Sequence, residues 1–293
     1  MRFRTYSAIN TMIYYYQPII ENNLTLSIDN VVLDVSIVRP ELRDLLDSNI
    51  ATIANSGKVE VKKWQSYKPG TFREQIHFAI DEDRAFWLGC GLNGNGTLQD
   101  RYRLDFNPNK VSEDPNFRII MEFLLRNSRG NMCRIARFDL AIDIPVDRSR
   151  CFLVKDRRLY IERKHGQEYT QYLGSKSSTA GRVKLYNKTL EAGLDYPLTR
   201  LELTLNPQTP FEEINFPVVW CLCDQQIALH GLKVTDTEKF IVNAILHGCG
   251  MMNDLGRKTR SKIEKLLEKY MRKIMISEES YAKILKQLKK FEQ

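Results

Sequence analysis

The sequence predicts an α+β protein with a mainly antiparallel β-sheet, helices packed on one face of that sheet, and a basic helical C-terminal region. Three observations lead to this prediction. Runs in which apolar and polar residues alternate recur from residue 24 to residue 205, as expected for strands with one buried face. A turn rich in glycine and asparagine at residues 89–96 indicates a hairpin connection. Apolar residues at helical spacing dominate the last part of the chain.

The first half of the chain alternates strands with two helices. Strands are predicted at residues 24–38, 58–67, 72–80 and 102–106. Pro40 favours the start of a helix, because proline is well accepted in the first helical turn. A second helix is predicted at residues 116–125, where the apolar residues have helical spacing.

Three strands of the second half carry polar faces. In residues 134–144, Asp139 and Asp143 lie on the side opposite four large apolar residues. Residues 159–163 and 168–173 predict a hairpin. The next two strands alternate leucine or valine with polar groups, and the polar groups are Arg182, Lys184, Tyr186 and Lys188 in one strand, and Arg200, Glu202 and Thr204 in the other.

A change in composition after residue 205 predicts a division into an α+β domain, residues 1–210, and a basic helical region, residues 211–293. Three prolines follow residue 205, and residues 220–293 contain 14 basic and 9 acidic residues, a net charge of +5. An apolar stripe from Ile263 to Ile274 and a second one at residues 281–291 predict two amphipathic helices. The basic residues expected to contact DNA there are Arg257, Lys258, Arg260, Lys262 and Lys265.

The charge of the whole chain favours a polyanionic partner. The formal net charge is +8 and the isoelectric point is near 9.1. The six cysteines show neither zinc-ligand spacing nor a disulfide framework, and Cys221 and Cys223 are expected to be buried packing residues. The sequence has no signal peptide and no membrane span, so we expect a cytoplasmic protein. The four histidines form no paired metal-binding motif, which excludes a metalloprotease of the His-x-x-x-His type.

The polar faces of the three strands can form a site for phosphodiester chemistry. Asp139 and Asp143 are roughly 13 Å apart on one strand, so one metal ion would be held by one of them together with Glu202. Carboxylate oxygens favour Mg²⁺ or Mn²⁺. Tyr186 could attack a phosphate reversibly, because a phenolate is a stable leaving group. The alternatives are a tyrosine that only packs across strands and a structural ion pair between Glu202 and Arg200.

Five motifs occur in a fixed order: Arg-Tyr-Arg-Leu-Asp-Phe-Asn-Pro-Asn-Lys at residues 101–110, Ile-Ala-Arg-Phe-Asp-Leu-Ala-Ile-Asp at 135–143, Tyr-Leu-Gly-Ser-Lys-Ser at 172–177, Val-Lys-Leu-Tyr-Asn-Lys at 183–188 and Thr-Arg-Leu-Glu-Leu-Thr at 199–204. In this order the set resembles rolling-circle replication initiators of the plasmid, mobile-element and filamentous-phage replication initiation factor family. The resemblance covers roughly residues 25–210.

The resemblance implies a DNA nicking and joining endonuclease that uses a catalytic tyrosine and a divalent metal. The family's tyrosine motif matches Tyr186 with Lys188, and its metal-binding acids match Asp139 and Glu202. Lys188 and Arg200 would stabilise phosphate charge, and Lys184 would contact DNA. Asn187 departs from the acid that many relatives carry at this position. Tyr172 and Tyr196 are candidates for a second tyrosine.

The partners implied are single-stranded or cruciform origin DNA with its flanking duplex, a host helicase and polymerase, and a second copy of the chain, with no membrane. Two other functions stay open at this point. A non-catalytic, sequence-specific DNA-binding regulator would use the same basic helices. A conjugative relaxase would use similar chemistry but usually has histidine metal ligands, for which this sequence has no motif.

Overall fold

A computed structural model describes residues 17–37, 42–92, 101–166, 168–175, 181–222 and 234–292, without the side chains of residues 129–132. The strands in these ranges are β1 (Ile19–Glu21), β2 (Leu24–Ile37), β3 (Glu60–Gln65), β4 (Phe72–Ala79), β5 (Ala85–Leu92), β6 (Arg101–Phe106), β7 (Ser128–Ile144), β8 (Cys151–Leu153), β9 (Tyr160–His165), β10 (Glu168–Leu173), β11 (Val183–Asn187), β12 (Thr199–Leu205), β13 (Val219–Cys221) and β14 (Arg272–Ile274).

The helices in the described ranges are α1 (Leu42–Asn55), α2 (Pro108–Val111), α3 (Pro115–Asn127), α4 (Lys188–Ala192), α5 (Asp236–Leu246), α6 (Arg257–Tyr270) and α7 (Glu278–Leu288). Within this part of the chain, no helix has both the length and the apolar character needed to cross a membrane.

The chain divides into two compact units. Of the described residues, unit 1 contains Gln17, Asn30–Ile135 and residues 288–292. Unit 2 contains Pro18–Asp29 and Ala136–Gln287. Both units are built on antiparallel strands, which confirms the predicted α+β class. The predicted division at residue 210, into an α+β domain and a basic helical region, stays a prediction.

Unit 1 contains an antiparallel sheet in the order β3-β4-β5-β6-β2. One face is buried by a cluster of aromatic rings. Phe78 stacks on Phe86 with 4.4 Å between ring centroids, and Phe117 of α3 contacts both Phe86 and Phe106. Phe291 packs against Phe106 at 5.3 Å, so a residue far along the chain completes this core.

Unit 2 contains a sheet in the order β7-β12-β11-β10-β9 and a small sheet in the order β14-β13-β8. The small sheet packs with α5 and α6 in one core, which includes Phe152, Trp220, Val242 and Ile263. Cys221 is fully buried in this region, as the sequence predicts, whereas Cys223 lies outside the described residues.

A side-chain hydrogen-bond network, which runs from the exposed Glu162 to the buried Gln171 and Arg148, fixes the hairpin of β9 and β10 in unit 2. The Glu162 carboxylate accepts hydrogen bonds from the Tyr160 and Tyr169 hydroxyls, at 2.5 and 2.6 Å. Gln171 donates to the Tyr160 hydroxyl and to Glu162, and its own carbonyl oxygen accepts from Arg148 at 2.6 Å. Because neighbouring residues of a strand point to opposite faces, Tyr172 lies on the face of the sheet opposite to Gln171 and this network.

The structure confirms most predicted elements and corrects three. Gly89 belongs to β5, which continues to Leu92, and not to a turn. Residues 93–96 of the predicted turn lie outside the described residues, and so does the predicted helix start at Pro40. Ile274 belongs to β14 and not to the amphipathic helix, which ends at Tyr270. Lys188 begins α4 because the Asn187 side chain accepts a hydrogen bond from the Leu190 amide and caps the helix.

β5 requires glycine at position 89, because the neighbouring rings leave no room for a side chain. A Cβ atom on this residue would lie 2.5 Å from the Trp87 ring and 2.6 Å from the Phe72 ring. Gly89→Ala is therefore expected to lower the free energy of unfolding by about 1–3 kcal/mol through overpacking.

Denaturant unfolding measures this effect, and Gly250→Ala is the matched control. A Cβ atom on Gly250 would make only an ordinary contact, 3.9 Å from Ile245. A Gly89→Ala variant as stable as the Gly250→Ala variant would contradict the expected overlap.

Candidate active site

The predicted polar residues of three strands share one face of the unit 2 sheet. In the register of β12 with β7, Thr204 is opposite Asp139 and Arg200 is opposite Asp143. In the register of β12 with β11, Glu202 is opposite Lys184 and Arg200 is opposite Tyr186. Residues that are opposite each other project to the same side of a sheet, so the expected convergence is observed.

A pocket of about 260 Å³ opens on this face. Its walls combine two carboxylates, three cations and a tyrosine ring, and the lining residues are Asp139, Arg163, Tyr172, Arg182, Val183, Lys184, Glu202 and Thr204. Asp143, Lys188 and Arg200 are not among them. The pocket therefore contains Asp139 and Glu202, the two acids that the family resemblance implies as metal ligands.

Tyr186 is buried beside this pocket, with only 5% of its surface exposed. Its hydroxyl donates a hydrogen bond to Glu202 Oε1 at 2.5 Å. The Lys184 ammonium lies 3.7 Å from the centre of the Tyr186 ring and 3.7 Å from Glu202 Oε2. Lys184 therefore contacts both the tyrosine and the glutamate.

The environment disfavours the charged forms of both Tyr186 and Glu202. Burial raises the pKa of Tyr186, and the charge of Glu202 raises it further. Burial also raises the pKa of Glu202, and the Asp29 and Asp139 carboxylates add to this effect, although Lys184 opposes it. Tyr186 in this arrangement is a neutral hydrogen-bond donor. The carboxylates of Asp29 and Asp139 near Glu202 favour the binding of a further cation at this position.

Arg200 is bound by two carboxylates. Its guanidinium makes two hydrogen bonds to Asp143, at 2.6 and 2.8 Å, and a third to Asp29 at 3.0 Å. Arg200 therefore forms ion pairs with Asp143 and Asp29, and not the structural ion pair with Glu202 that was one alternative for the sequence. The cation beside Glu202 is Lys184. The role of Arg200 in stabilising phosphate charge stays a prediction.

Lys188 and Asn187 lie at the junction of β11 and α4. The Lys188 ammonium forms an ion pair with Glu191, one turn along α4. Asn187, the residue that departs from the family pattern, caps α4 through its side-chain oxygen. An aspartate would cap the helix in the same way, so the exchange leaves the local fold intact.

Sequence reasoning placed Arg182 on a polar strand face without a role and did not assign Arg163 to the site. Their guanidinium carbons lie 5.7 and 5.6 Å from the centre of the Tyr172 ring, respectively. Tyr172 is opposite Lys184 in the register of β10 with β11, which brings this group to the pocket. The sequence signal was the alternation in these strands, but only the pairing of β9 with β10 places Arg163 at the pocket.

Tyr196, the other candidate for a second tyrosine, is 52% exposed and does not line the pocket.

The basic residues of α6 fall into two groups. Arg260 donates to the carbonyl oxygens of Met252, Asn253 and Leu255, and Lys262 forms an ion pair with Glu238 at 2.6 Å. These two residues therefore hold α6 to its surroundings. The basic residues of α6 that are exposed without an ion pair among the described residues are Arg257, Lys258, Lys265 and Lys269, and the first three of these are predicted DNA contacts.

The pocket contains the two carboxylates that the resemblance implies as ligands of a divalent cation. Across the described residues, no group of three or more histidine, cysteine, aspartate or glutamate side chains could hold a metal ion. Mg²⁺, however, is commonly bound by only one or two carboxylates together with water and substrate phosphate. Asp139 and Glu202 supply two such carboxylates in one pocket.

Comparison with known proteins gives weak similarity. No protein-family model matches the chain, and a search of curated proteins finds no match. Among solved structures, the chain is similar to a rolling circle replication initiator protein from Geobacillus stearothermophilus, with a TM-score of 0.35 and 14% sequence identity. The similarity covers 62% of this chain and 74% of that chain. Similarity at this level gives no basis for transferring an activity.

Arg200→Met is expected to lower the free energy of unfolding by about 2–4 kcal/mol, because two half-buried carboxylates lose their shared partner. Arg126→Met is the control, since its pair with Glu122 is exposed and should contribute less than about 1 kcal/mol. Urea unfolding of both variants tests the difference, and equal losses would refute the structural role of Arg200.

Proposed function

We propose that this chain initiates rolling-circle DNA replication by nicking and rejoining one DNA strand, with Tyr186 as the nucleophile. The observation that carries the proposal is the hydrogen bond from Tyr186 to Glu202, beside a pocket that contains a second carboxylate and three cations. The ordered motifs of the sequence support the same assignment.

In the proposed reaction, the Tyr186 hydroxyl oxygen attacks the phosphorus of a phosphodiester. Its proton passes to Glu202, whose Oε1 already accepts the hydrogen bond. The bond between phosphorus and the 3′ oxygen breaks, and the leaving oxygen takes up a proton from water, to which Glu202 returns the proton that it received. The products are a 5′-phosphotyrosine and a free 3′-hydroxyl. Attack of that hydroxyl on the phosphotyrosine reverses the reaction and reseals the strand.

The raised pKa of Tyr186 sets a requirement for this reaction. Since burial and Glu202 disfavour the phenolate, positive charge must be present in the pocket when the proton leaves. A Mg²⁺ or Mn²⁺ ion held by Asp139 and Glu202 would supply that charge and neutralise the phosphate. Arg163, Arg182 and Lys184 line the pocket and would hold the oxygens of the DNA backbone.

The exposed basic residues of α6 support binding of the flanking duplex. Arg257, Lys258 and Lys265 are solvent-exposed, whereas Arg260 and Lys262 make intramolecular contacts. We therefore expect the first three to contribute most of the phosphate contacts of this helix. Their contribution should fall with rising salt, as for other phosphate contacts.

A non-catalytic DNA-binding regulator is the second candidate function. The burial of Tyr186 and its raised pKa favour this alternative, since an attacking tyrosine must reach a phosphate. The two functions differ in one product, the covalent bond between protein and DNA.

Tyr186→Phe is expected to abolish the covalent adduct with single-stranded origin DNA in the presence of Mn²⁺, because the attacking oxygen is absent. Binding of the same DNA should be retained. Denaturing gel electrophoresis of labelled oligonucleotides, drawn from the replicon that encodes the chain, measures the adduct.

The control is Tyr196→Phe, which removes an exposed hydroxyl outside the pocket and should leave adduct formation unchanged. Tyr172→Phe tests the tyrosine that lines the pocket. An adduct that persists in Tyr186→Phe but disappears in Tyr172→Phe would reassign the nucleophile. Absence of any adduct across a broad oligonucleotide library would favour the regulator.

A further inference from the structure

Unit 1 has a second face that the proposed reaction does not use. The residues of this face, which we call the open face, are Lys62, Trp64, Gln75, His77, Trp87 and Arg103 of β3–β6. They are in register across the sheet, Lys62 with His77 and Trp87, and Trp64 with Gln75. The residues between them, such as Ile76 and Leu88, are fully buried on the opposite face.

Large aromatic rings of this face and its border remain accessible. Trp64 on the edge strand β3 is 41% exposed, and Tyr67 just after it is 77% exposed. Trp87 is half-buried and packs edge-on against Phe72, with 5.7 Å between centroids. The Arg103 guanidinium lies 5.5 Å from the Phe72 centroid. Gly89 leaves room for both rings, so the backbone of β5 is adapted to this aromatic pair.

Positive charge follows the edge of the same face. Residues 58–68 contain four lysines and one glutamate, a net charge of +3 around Trp64 and Tyr67. Of these lysines, Lys63 is opposite the buried Ile76 and lies 3.9 Å from Glu74, so it belongs to the other face of the sheet. Lys62 is largely exposed, although it pairs with Glu60 at 3.0 Å. Exposed pairs of this kind are weak and can be exchanged for phosphate contacts.

Protection of a sheet edge is the simplest alternative explanation. Edge strands often carry lysines, which prevent pairing with another chain. That explanation accounts for the lysines of β3 but not for an exposed tryptophan and tyrosine beside them, because exposed aromatic rings promote association. Cations along a strand together with accessible aromatic rings are the combination found where proteins bind single-stranded nucleic acid.

We propose that the open face of unit 1, with Tyr67, Lys58, Lys62 and Lys68, binds single-stranded nucleic acid. Bases stack on Trp64 and Tyr67, and the lysines contact the phosphates. Paired bases are stacked within a duplex and offer no free ring face along its length, so the site discriminates against duplex. This site lies outside the proposed active site and does not depend on nicking.

The three tryptophans of the chain make the test direct. Trp64 and Trp87 are on the open face, and Trp220 is buried in unit 2. The full chain, in a Tyr186→Phe background with EDTA, is titrated with a short oligothymidylate while tryptophan emission is recorded. Emission should fall and saturate, and a Trp220→Phe variant should show the same quenching.

Trp64→Ala is expected to weaken binding by about 10-fold, or about 1.4 kcal/mol, which is within the range for loss of stacking of one base. Trp64→Phe keeps a ring and should retain most of the affinity, provided that thermal unfolding shows both variants folded. Replacing Lys58 and Lys62 with glutamine should reduce the salt dependence, by about 0.7 in the logarithmic slope for each phosphate that is no longer neutralised.

Phe240→Ala is the matched control, because Phe240 is 74% exposed but lies on α5 of unit 2. Unchanged affinity in a folded Trp64→Ala variant would overturn the proposal. Equal binding of a matched duplex would also overturn it, as would emission changes that depend on protein concentration without DNA, which would indicate edge pairing between copies. Loss of nicking activity has no bearing on this titration, so the two proposals fail separately.

Discussion

The pairing of β12 with β7 and β11 is the constraint on which the candidate active site depends. β12 lies between these strands, and its register alone brings Asp139, Lys184 and Glu202 to one face. Leu201 and Leu203 are nearly fully buried on the opposite face. A slip by one residue would exchange these two sets of side chains, so the burial of the leucines also fixes the position of the carboxylate.

The cations on this sheet face have two different tasks. Arg200 neutralises Asp143 and Asp29, which are far apart in sequence. Arg163 and Arg182 instead surround a tyrosine ring and line the pocket. Lys184 is intermediate, since it contacts Tyr186 and Glu202. The separation allows the sheet to be stabilised internally while positive charge still faces the pocket.

Patterns of local spacing predict much of this fold. Alternation identifies β12 with its correct bounds and assigns Asp139, Tyr186 and Glu202 to polar faces, because strand geometry depends only on neighbouring residues. Helical spacing likewise identifies α3.

Features that depend on distant residues could not be predicted in this way. Asp29 and Arg200 are 171 residues apart, so their ion pair has no local signal. The local pattern predicts a turn at Gly89, because glycine favours turns. The reason for glycine in this strand is the close approach of the Phe72 and Trp87 rings, which the local sequence does not show. The strand β14 interrupts an apolar stripe because pairing with β13 overrides helical spacing.

The return of the chain to unit 1 has a consequence for folding during synthesis. Phe291 completes the aromatic core at Phe106, its carbonyl oxygen accepts a hydrogen bond from Cys133, and Glu292 accepts one from the Ile135 amide. These contacts span more than 150 positions of sequence. A ribosome therefore produces all of unit 2 before unit 1 can close, and the emerging chain must keep an unfinished aromatic core soluble until then.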